Sequence, residues 1–218
     1  LYTPRELEHQ LKDSGARASF VLERFATTLQ KVSDSTQLEH VIVASMGDML
    51  GFFKGTLLNF AVRHLKKMVP EFTLPRAQRF NTVLAELLTR TGNDMWIIVS
   101  REYNDDPVFR SMAPLTTYSS RRRTILVFYN PGGGKPVERY SVGRFDMEKL
   151  FTLVVTPNDG QWAGLRKLVE EKNPKVIGIN ESSAWNHADG LTANEKRELT
   201  EALGPALAGR MKSAEMLA

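Results

Sequence analysis

Residues 18–45 read ASFVLERFATTLQKVSDSTQLEHVIVAS, and this stretch decides the fold of the first part of the chain. Its two ends, 18–22 and 40–45, are compact apolar runs rich in valine and isoleucine, which is typical of strands. Between them, apolar residues recur at helical spacing: Phe25, Leu29 and Val32. The order strand, helix, strand predicts a parallel sheet covered by helices, because parallel neighbours need a crossover connection. We therefore expect an α/β protein.

The segment before this stretch is predicted to form a short helix over residues 3–15. Thr3 can cap the amide of Glu6, Glu6 can bond back to Thr3, and Pro4 stands where a missing N–H costs nothing. Gly15 is expected to close the helix.

Residues 55–69 carry a basic amphipathic pattern. One helical face collects Leu58, Ala61, Val62, Leu65 and Met68. The cations that could touch a membrane surface are Lys54, Arg63, Lys66 and Lys67. Packing of the apolar face on a domain core is the favoured interpretation, because most such stripes face a core, and a membrane-surface helix is the alternative.

Composition limits the classes of function. The 218 residues include 29 basic and 25 acidic side chains, and the net charge of +4 is a weak field that does not indicate nucleic-acid binding. The absence of cysteine excludes disulfides, thiol nucleophiles and iron–sulfur clusters, and it fits a reducing compartment such as the cytoplasm. No apolar stretch approaches the about 20 residues of a spanning helix.

The second part of the chain is predicted to be a mixed sheet flanked by helices. Pro70 and Pro75 interrupt regular structure, and residues 74–78 are the best linker candidate. Beyond them the patterns predict a helix over 80–88, strands over 95–100 and 175–180, a hairpin of 121–129 with 137–142, a helix over 162–169, and a helix from Thr192 that breaks at Gly204–Pro205.

A glycine-rich loop and four histidines are weak candidates for chemistry. The loop PGGGKP at 131–136 lacks the glycine and the Ser or Thr of a phosphate-binding Walker loop, because Tyr129 and Pro136 stand there. A hairpin loop is favoured instead. The histidines lie far apart and none shows metal-pair spacing: His9, His40, His64 and His187.

Charged residues around the predicted strands give two further candidates. Glu102, Asp105 and Asp106 could perform acid–base work, although a solvated loop with a turn at Asp106–Pro107 is favoured. The candidate contacts to a partner or to another domain are Arg101, Arg121, Arg122 and Arg123. In a strand Arg121 and Arg123 would share one face and Arg122 the other, so the triplet is not one patch.

The first part resembles a known family in wording as well as in pattern. LYTPRELEHQLKDSGA, HVIVASMGDMLGFFKG and NFAVRHLKKMVPEF resemble an internal segment of bacterial long-chain fatty-acid CoA ligases, of the adenylate-forming superfamily. The resemblance implies that residues 1–78 are a small α/β piece of the large N-terminal domain, upstream of the loop that holds the ATP phosphates. It carries over no catalytic or cofactor-binding residue.

The second part resembles a different family. DMWIIVSREYNDDPVF, SSRRRTILVFYNPGGGKPVERYSVGRFD and NESSAWNHADGLT resemble the N-terminal, creatinase-like domain of Xaa-Pro aminopeptidases and prolidases. For residues 79–218 this implies a ribonuclease-H-like mixed sheet that dimerises and shapes the substrate entrance. The two divalent metals of that family, held by two Asp, one His and two Glu, are expected only in a domain after Ala218.

Two hypotheses follow from these resemblances. The first is a chimera, joined between Leu74 and Thr91, in which a non-catalytic peptidase-type domain follows a ligase fragment and no active site is complete. The alternative is a fragment of a long-chain fatty-acid CoA ligase with a basic membrane-surface helix. Both expect no metal or cofactor site within these residues and no nucleic acid. The first adds a homodimer, and the alternative adds a weak contact with a membrane surface.

Overall fold

The computed structural model describes residues 3–45, 57–66, 68–75, 77–113, 117–143, 147, 150–156 and 160–217. The chain divides into two compact units, Leu1–Leu84 and Ala85–Ala218. Each unit is an α/β structure built around its own sheet. The expected α/β class is therefore confirmed. The division at residue 78 between two families stays a prediction.

The first unit is a three-stranded parallel sheet with helices. Its elements are α1 (Pro4–Asp13), β1 (Ala18–Leu22), α2 (Ala26–Ser33), β2 (His40–Ala44), a helical segment over 57–65 and β3 (Ala77–Arg79). The strand order is β1-β2-β3, and both pairings are parallel. The predicted strand, helix and strand are confirmed. So is the capping box, in which Glu6 N–H donates to Thr3 Oγ1 (3.4 Å) and Thr3 N–H to Glu6 Oε2 (2.8 Å).

The core of this unit lies on one face of its sheet. Val21 and Val43 are in register, so their side chains share a face. Apolar residues of both helices pack against that face, including Leu11, Leu29 and Val32. On the opposite face, Phe20 is exposed. The buried face thus ties α1 and α2 to the sheet.

The linker predicted at 74–78 is wrong, because part of that range belongs to the sheet. Ala77–Arg79 forms β3, in register with Val41–Val43 of β2. Among the described strands it stands at the end of the order beside β2, and an edge strand needs no continuous apolar pattern. Phe80 then begins α3 (Phe80–Arg90), which confirms the predicted helix.

The second unit is a six-stranded mixed sheet. Its elements are β4 (Met95–Arg101), α4 (Phe109–Met112), β5 (Arg123–Tyr129), β6 (Glu138–Val142), β7 (Thr152–Val154), α5 (Gly160–Lys172), β8 (Ile177–Ile179), α6 (Ala193–Ala208) and β9 (Met211–Ser213). The strand order is β7-β6-β5-β4-β8-β9, with β5 antiparallel to both neighbours and all other pairings parallel. The predicted hairpin and mixed sheet are confirmed.

The central strand β4 is covered on both faces, because alternate side chains enter two apolar clusters. Met95, Ile97 and Val99 pack with residues of α5 and α6. On the other face the Trp96 and Phe128 ring centroids are 5.8 Å apart. Such two-sided burial explains why its sequence is apolar almost throughout.

The last helix confirms a predicted irregularity. Gly204 has φ 72° and ψ 170°, outside the helical region, so α6 kinks there. Pro205 cannot donate the hydrogen bond that would continue a regular helix. The helix nevertheless resumes after the kink and ends at Ala208.

Candidate functional site

Polar residues meet where the three parallel strands of the first unit end. Glu23 directly follows β1, Ser45 directly follows β2, and Arg79 is the last residue of β3. Leu22 is in register with Ala44, and Val43 with Arg79, so these three strand ends are adjacent. Open parallel sheets bind ligands beyond the carboxyl ends of their strands. This edge is therefore the candidate site.

Arg63 completes a group that we name the sheet-edge cluster: Glu23, Ser45, Arg63 and Arg79. The Ser45 hydroxyl donates to Glu23 Oε2 (2.7 Å), and Arg63 donates to the same oxygen. Arg79 Nη1 donates to Glu23 Oε2 over 3.4 Å and also to Ser45 Oγ. Arg63 Nη2 lies 3.3 Å from Ser45 Oγ. Two guanidinium groups thus share one carboxylate oxygen and one hydroxyl.

The electrostatics of the cluster are set by the arginines. Glu23 is fully buried, which by itself would raise its pKa. Hydrogen bonds from Arg63 and Ser45, with the charges of Arg63 and Arg79, outweigh burial and hold the pKa of Glu23 below its ordinary value. The carboxylate is therefore ionised at neutral pH, and the cluster carries one net positive charge.

A cleft of about 1080 Å³ opens beside the cluster. Arg63 and Arg79 line it together with His64, Glu71 and Thr73. The Arg63 and Arg79 side chains are 36% and 46% exposed, respectively, although the carboxylate that they bind is buried. The cleft can therefore bring a solute to the guanidinium groups.

The four predicted membrane-surface cations do not form one group. Lys54 and Lys67 lie outside the described residues. Lys66 is exposed at the end of the 57–65 helix. Arg63 is instead directed to Glu23, forty positions earlier in the chain, a partner that helical periodicity cannot reveal.

The predicted apolar face of this helix is only partly buried. Of that face, Val62 is buried but Leu65 is 74% exposed, and two apolar residues outside the predicted face, Leu57 and Phe60, are 70% and 54% exposed. Ala61–Leu65 forms a π-helix, whose wider turn moves Leu65 off the face expected from α-helical spacing. The expectation that the apolar face packs on a domain core is therefore wrong for Leu65. Among the described residues, no helix is both long and apolar enough to span a bilayer.

Asp106 is a second buried carboxylate, and the expectation that it is solvated is wrong. It lies in the second unit and is fully buried. Asn180 Nδ2 donates to both of its oxygens, each over 2.9 Å, and Asn180 Oδ1 accepts from Trp96 Nε1 (2.7 Å). Asn180 directly follows β8 and stands 74 positions after Asp106, so residues near Asp106 in the sequence do not indicate its burial.

The surroundings of Asp106 are closed rather than open. Burial raises its pKa, because the hydrogen bonds from Asn180 and from the Val108 and Phe109 amides only partly offset the lost hydration. A Cβ atom at Gly190 would lie 2.1 Å from Asp106 Oδ2, so only glycine fits there. Through Asn180, this carboxylate connects the loop that follows β4 to the loop that follows β8. Its role is therefore structural.

The other two predicted carboxylates behave differently from Asp106. Glu102 is exposed. Asp105 is half-buried and accepts from the Ser120 amide (2.7 Å) and from its hydroxyl. The three acidic residues thus do not form a common acid–base site.

The structure separates the four candidate contact arginines. Arg101 ends β4 and is exposed, and Arg121 and Arg122 are exposed residues that precede β5. Since the strand begins at Arg123, the expected alternation of three arginines along a strand is wrong. Arg123 bonds Glu198 (2.5 Å) and lies 4.4 Å from the Trp162 ring centroid, all within the second unit. A partner contact by these residues stays a prediction.

The remaining candidates are the glycine-rich loop and the four histidines. Residues 131–136 form the loop between β5 and β6, with positive φ at Gly132, Gly133 and Gly134, as predicted for a hairpin loop. The four histidines are exposed. Within the described ranges, no three or more His, Asp or Glu residues come together in a way that could hold a metal ion.

Comparison with known proteins finds relatives of one kind. Over 117 residues, 54% of this chain, it is 47% identical to a long-chain-fatty-acid–CoA ligase of Yersinia pestis and covers 20% of that protein. It is 55% identical over 84 residues (38% of this chain) to the ligase of Escherichia coli O157:H7, and 55% identical over 85 residues (39%) to that of Haemophilus influenzae, covering 15% of each.

The similarity covers part of this chain and a small part of each ligase. No family model matches the chain, and no solved structure matches it. The chain spans a fifth or less of the length of the ligases that it matches. A segment of this chain is thus similar to part of long-chain-fatty-acid–CoA ligases.

Proposed function

We propose that this chain carries a fragment of a long-chain fatty-acid CoA ligase and that its 57–65 helix contacts a membrane surface. The observation that carries the proposal is the exposure of three large apolar side chains on this helix, Leu57, Phe60 and Leu65. The similarity of a segment of the chain to ligases named for long-chain fatty acids supports it. Substrates of that length are amphiphiles that partition into membranes.

The physical basis is interfacial binding. A helix at a bilayer surface buries its apolar side chains at the headgroup boundary and places cations beside anionic lipids. Each Lys or Arg near an anionic surface contributes about 1 kcal/mol. Lys66, at the end of the helix, is exposed, and the ion pair between Arg63 and Glu23 links the helix to the end of β1.

Vesicle co-sedimentation tests this proposal. The full chain is mixed with phosphatidylcholine vesicles, with or without phosphatidylserine. The triple variant Leu57→Ser/Phe60→Ser/Leu65→Ser is expected to lose binding to both, because the buried apolar area is removed. Lys66→Glu is expected to weaken binding only to the anionic vesicles.

A matched control uses exposed apolar residues elsewhere. Tyr103, Tyr118 and Met216 are exposed in the second unit, and their triple change to Ser is expected to leave binding intact. Far-UV circular dichroism verifies folding of each variant. Failure of the native chain to bind, or unchanged binding by the first triple variant, would contradict the proposal.

For the second unit we propose a non-catalytic, creatinase-like role in dimerisation. Its resemblance in sequence and its mixed sheet flanked by helices support this role. Sedimentation equilibrium of the full chain is expected to show a dimer. A monomer at all concentrations, or turnover of an Xaa-Pro peptide with added Mn²⁺, would contradict it.

A further inference from the structure

We infer that Arg63 and Arg79 form a binding site for a phosphate group on the wall of the cleft in the first unit. The inference does not depend on the proposed membrane contact. It rests on the placement of two guanidinium groups, their remaining donors, their anchoring by a buried carboxylate and the open space beside them.

The two guanidinium groups lie side by side because they share their partners. Both donate to Glu23 Oε2, and both approach Ser45 Oγ. They come from different elements, the 57–65 helix and the end of β3. Convergence of two cations on one point gives a single ligand access to both.

Within the described part of the chain, each arginine retains hydrogen-bond donors beyond these contacts. A guanidinium group has five N–H donors in a planar fork. The contacts to Glu23 and Ser45 use one terminal nitrogen of Arg63 and one of Arg79. Both side chains are more than a third exposed and line the cleft of about 1080 Å³. The planar fork matches the oxygen spacing of phosphate.

Glu23 organises the site without neutralising it. One buried carboxylate faces two guanidinium charges, so one positive charge is uncompensated within the cluster. Its Oε1 has no hydrogen-bond partner among the described residues, whereas Oε2 accepts from both arginines and from the Ser45 hydroxyl. Anchored side chains lose less freedom on binding, which favours affinity.

The rest of the cleft sets where an anion can lie. His64 adds a titratable nitrogen to its lining, while Glu71 adds a carboxylate that repels anions. The cleft is therefore not uniformly basic. The pair of arginines, rather than a general positive field, must position the phosphate.

Isothermal titration of the full chain with inorganic phosphate and with pyrophosphate, at constant ionic strength, tests the site. Arg79→Gln and Arg63→Gln are each expected to weaken binding by about tenfold or more, the cost of losing a charge-assisted hydrogen bond. Arg79→Lys keeps the charge but loses the fork, and it is also expected to weaken binding.

Arg17→Gln is the matched control. Arg17 belongs to the same unit, and its change removes the same charge, but it pairs with the exposed Glu39 and does not line the cleft. Its binding is expected to equal that of the native chain. An equal loss in Arg17→Gln and Arg79→Gln would show a non-specific charge effect and overturn the inference.

A second arm distinguishes a free phosphate from a lipid headgroup. Vesicles of phosphatidylcholine with phosphatidic acid replace the soluble anions, and Arg79→Gln is again compared with Arg17→Gln. Binding in either arm that Arg79→Gln weakens and Arg17→Gln does not supports the site. The arm in which this happens shows whether the phosphate group is free or belongs to a lipid. Absence of binding in both arms overturns it. If the native chain still binds vesicles of pure phosphatidylcholine, the failure concerns the phosphate site and not the proposed membrane contact.

A measurement on the native chain covers the case in which the variants unfold. Phosphate or the phosphatidic acid vesicles are expected to slow amide hydrogen exchange over residues 69–73, which line the cleft. Protection absent from this segment under both conditions would also overturn the inference.

Discussion

Glu23 and Asp106 are both fully buried, and both lie just beyond a strand, yet their pKa values move in opposite directions. Two guanidinium groups face Glu23, whereas Asp106 meets the neutral amide of Asn180 and backbone N–H groups. Neither side chain exposes surface to solvent, and burial raises the pKa of each carboxyl group. The charge of the partners therefore decides whether a buried carboxylate is stable in its ionised form.

The two carboxylates also differ in what surrounds them. The partners of Glu23 extend from the buried oxygen to an open cleft, so the charge can be used for binding. The partners of Asp106 are buried, and Gly190 closes the remaining side. The first arrangement fits a site, and the second fits a structural anchor.

The largest effect is expected when the arginines are removed. The double variant Arg63→Met/Arg79→Met leaves Glu23 buried without a cation, and at pH 7 we expect the free energy of unfolding of the first unit to fall by about 3 kcal/mol. Urea unfolding followed by far-UV circular dichroism measures the change. All three tryptophans, Trp96, Trp162 and Trp185, belong to the second unit, so tryptophan fluorescence follows that unit separately.

Adding Glu23→Leu to that double variant provides the control. Replacement of a whole buried ion pair by apolar residues is often nearly neutral, so the triple variant should regain most of the loss. A double variant as stable as the native chain would show that the arginines do not support Glu23.

A smaller effect is expected from Asn180→Leu in the second unit. This change deprives the Trp96 N–H and the Asp106 carboxylate of their shared partner, and we expect a loss of about 2 kcal/mol. Urea unfolding followed by tryptophan fluorescence reports it. Asn194→Leu, at an exposed position of α6, should have little effect. Equal losses in the two variants would contradict a special role for the network.

The smallest effects are expected from pH, and they have opposite signs. The lowered pKa of Glu23 contributes stability above pH 4.5 that is lost as the pH falls through the folded-state pKa. The raised pKa of Asp106 contributes stability at low pH that is lost as the pH rises from 3.8 through its folded-state value. Each unit of pKa difference corresponds to about 1.4 kcal/mol.

Differences between variants isolate these two groups from the other acids. Urea midpoints between pH 3 and pH 7 are compared for the native chain, Glu23→Gln and Asp106→Asn. Glu23→Gln should remove the part of the stability loss at low pH that comes from Glu23. Asp106→Asn should remove the part of the stability loss at higher pH that comes from Asp106. If the difference in urea midpoint from the native chain changes with pH in the same direction for both variants, the two groups do not affect stability with opposite signs.

Much of the fold could be predicted because it depends on local patterns. Strands β1 and β2 are marked by apolar runs, and the helices by capping residues and spacing. Strand β3 was missed because Ala77, Gln78 and Arg79 have no such pattern, and their pairing with β2 cannot be read from the local sequence. Its strand character comes from a neighbour more than 30 residues away.

The candidate site was less predictable than the fold. Helical spacing places Arg63 on the same face as Lys66. Its partner Glu23 lies far away in the sequence, so this spacing cannot predict the ion pair. One signal could have found the cluster: Glu23 and Ser45 each directly follow a predicted parallel strand, and such strand ends are adjacent. Asp106 was misjudged for the same reason, since Asn180 is remote in sequence.

The absence of space at Gly190 has a consequence for how this sequence can change over generations. Any side chain at position 190 would collide with the Asp106 carboxylate, so a substitution there is compatible with folding only if position 106 becomes smaller as well. Because a Cβ atom at position 190 would also lie 2.8 Å from Pro107 Cδ, a smaller residue at position 106 does not by itself make room, and glycine at position 190 should be kept in nearly all lineages.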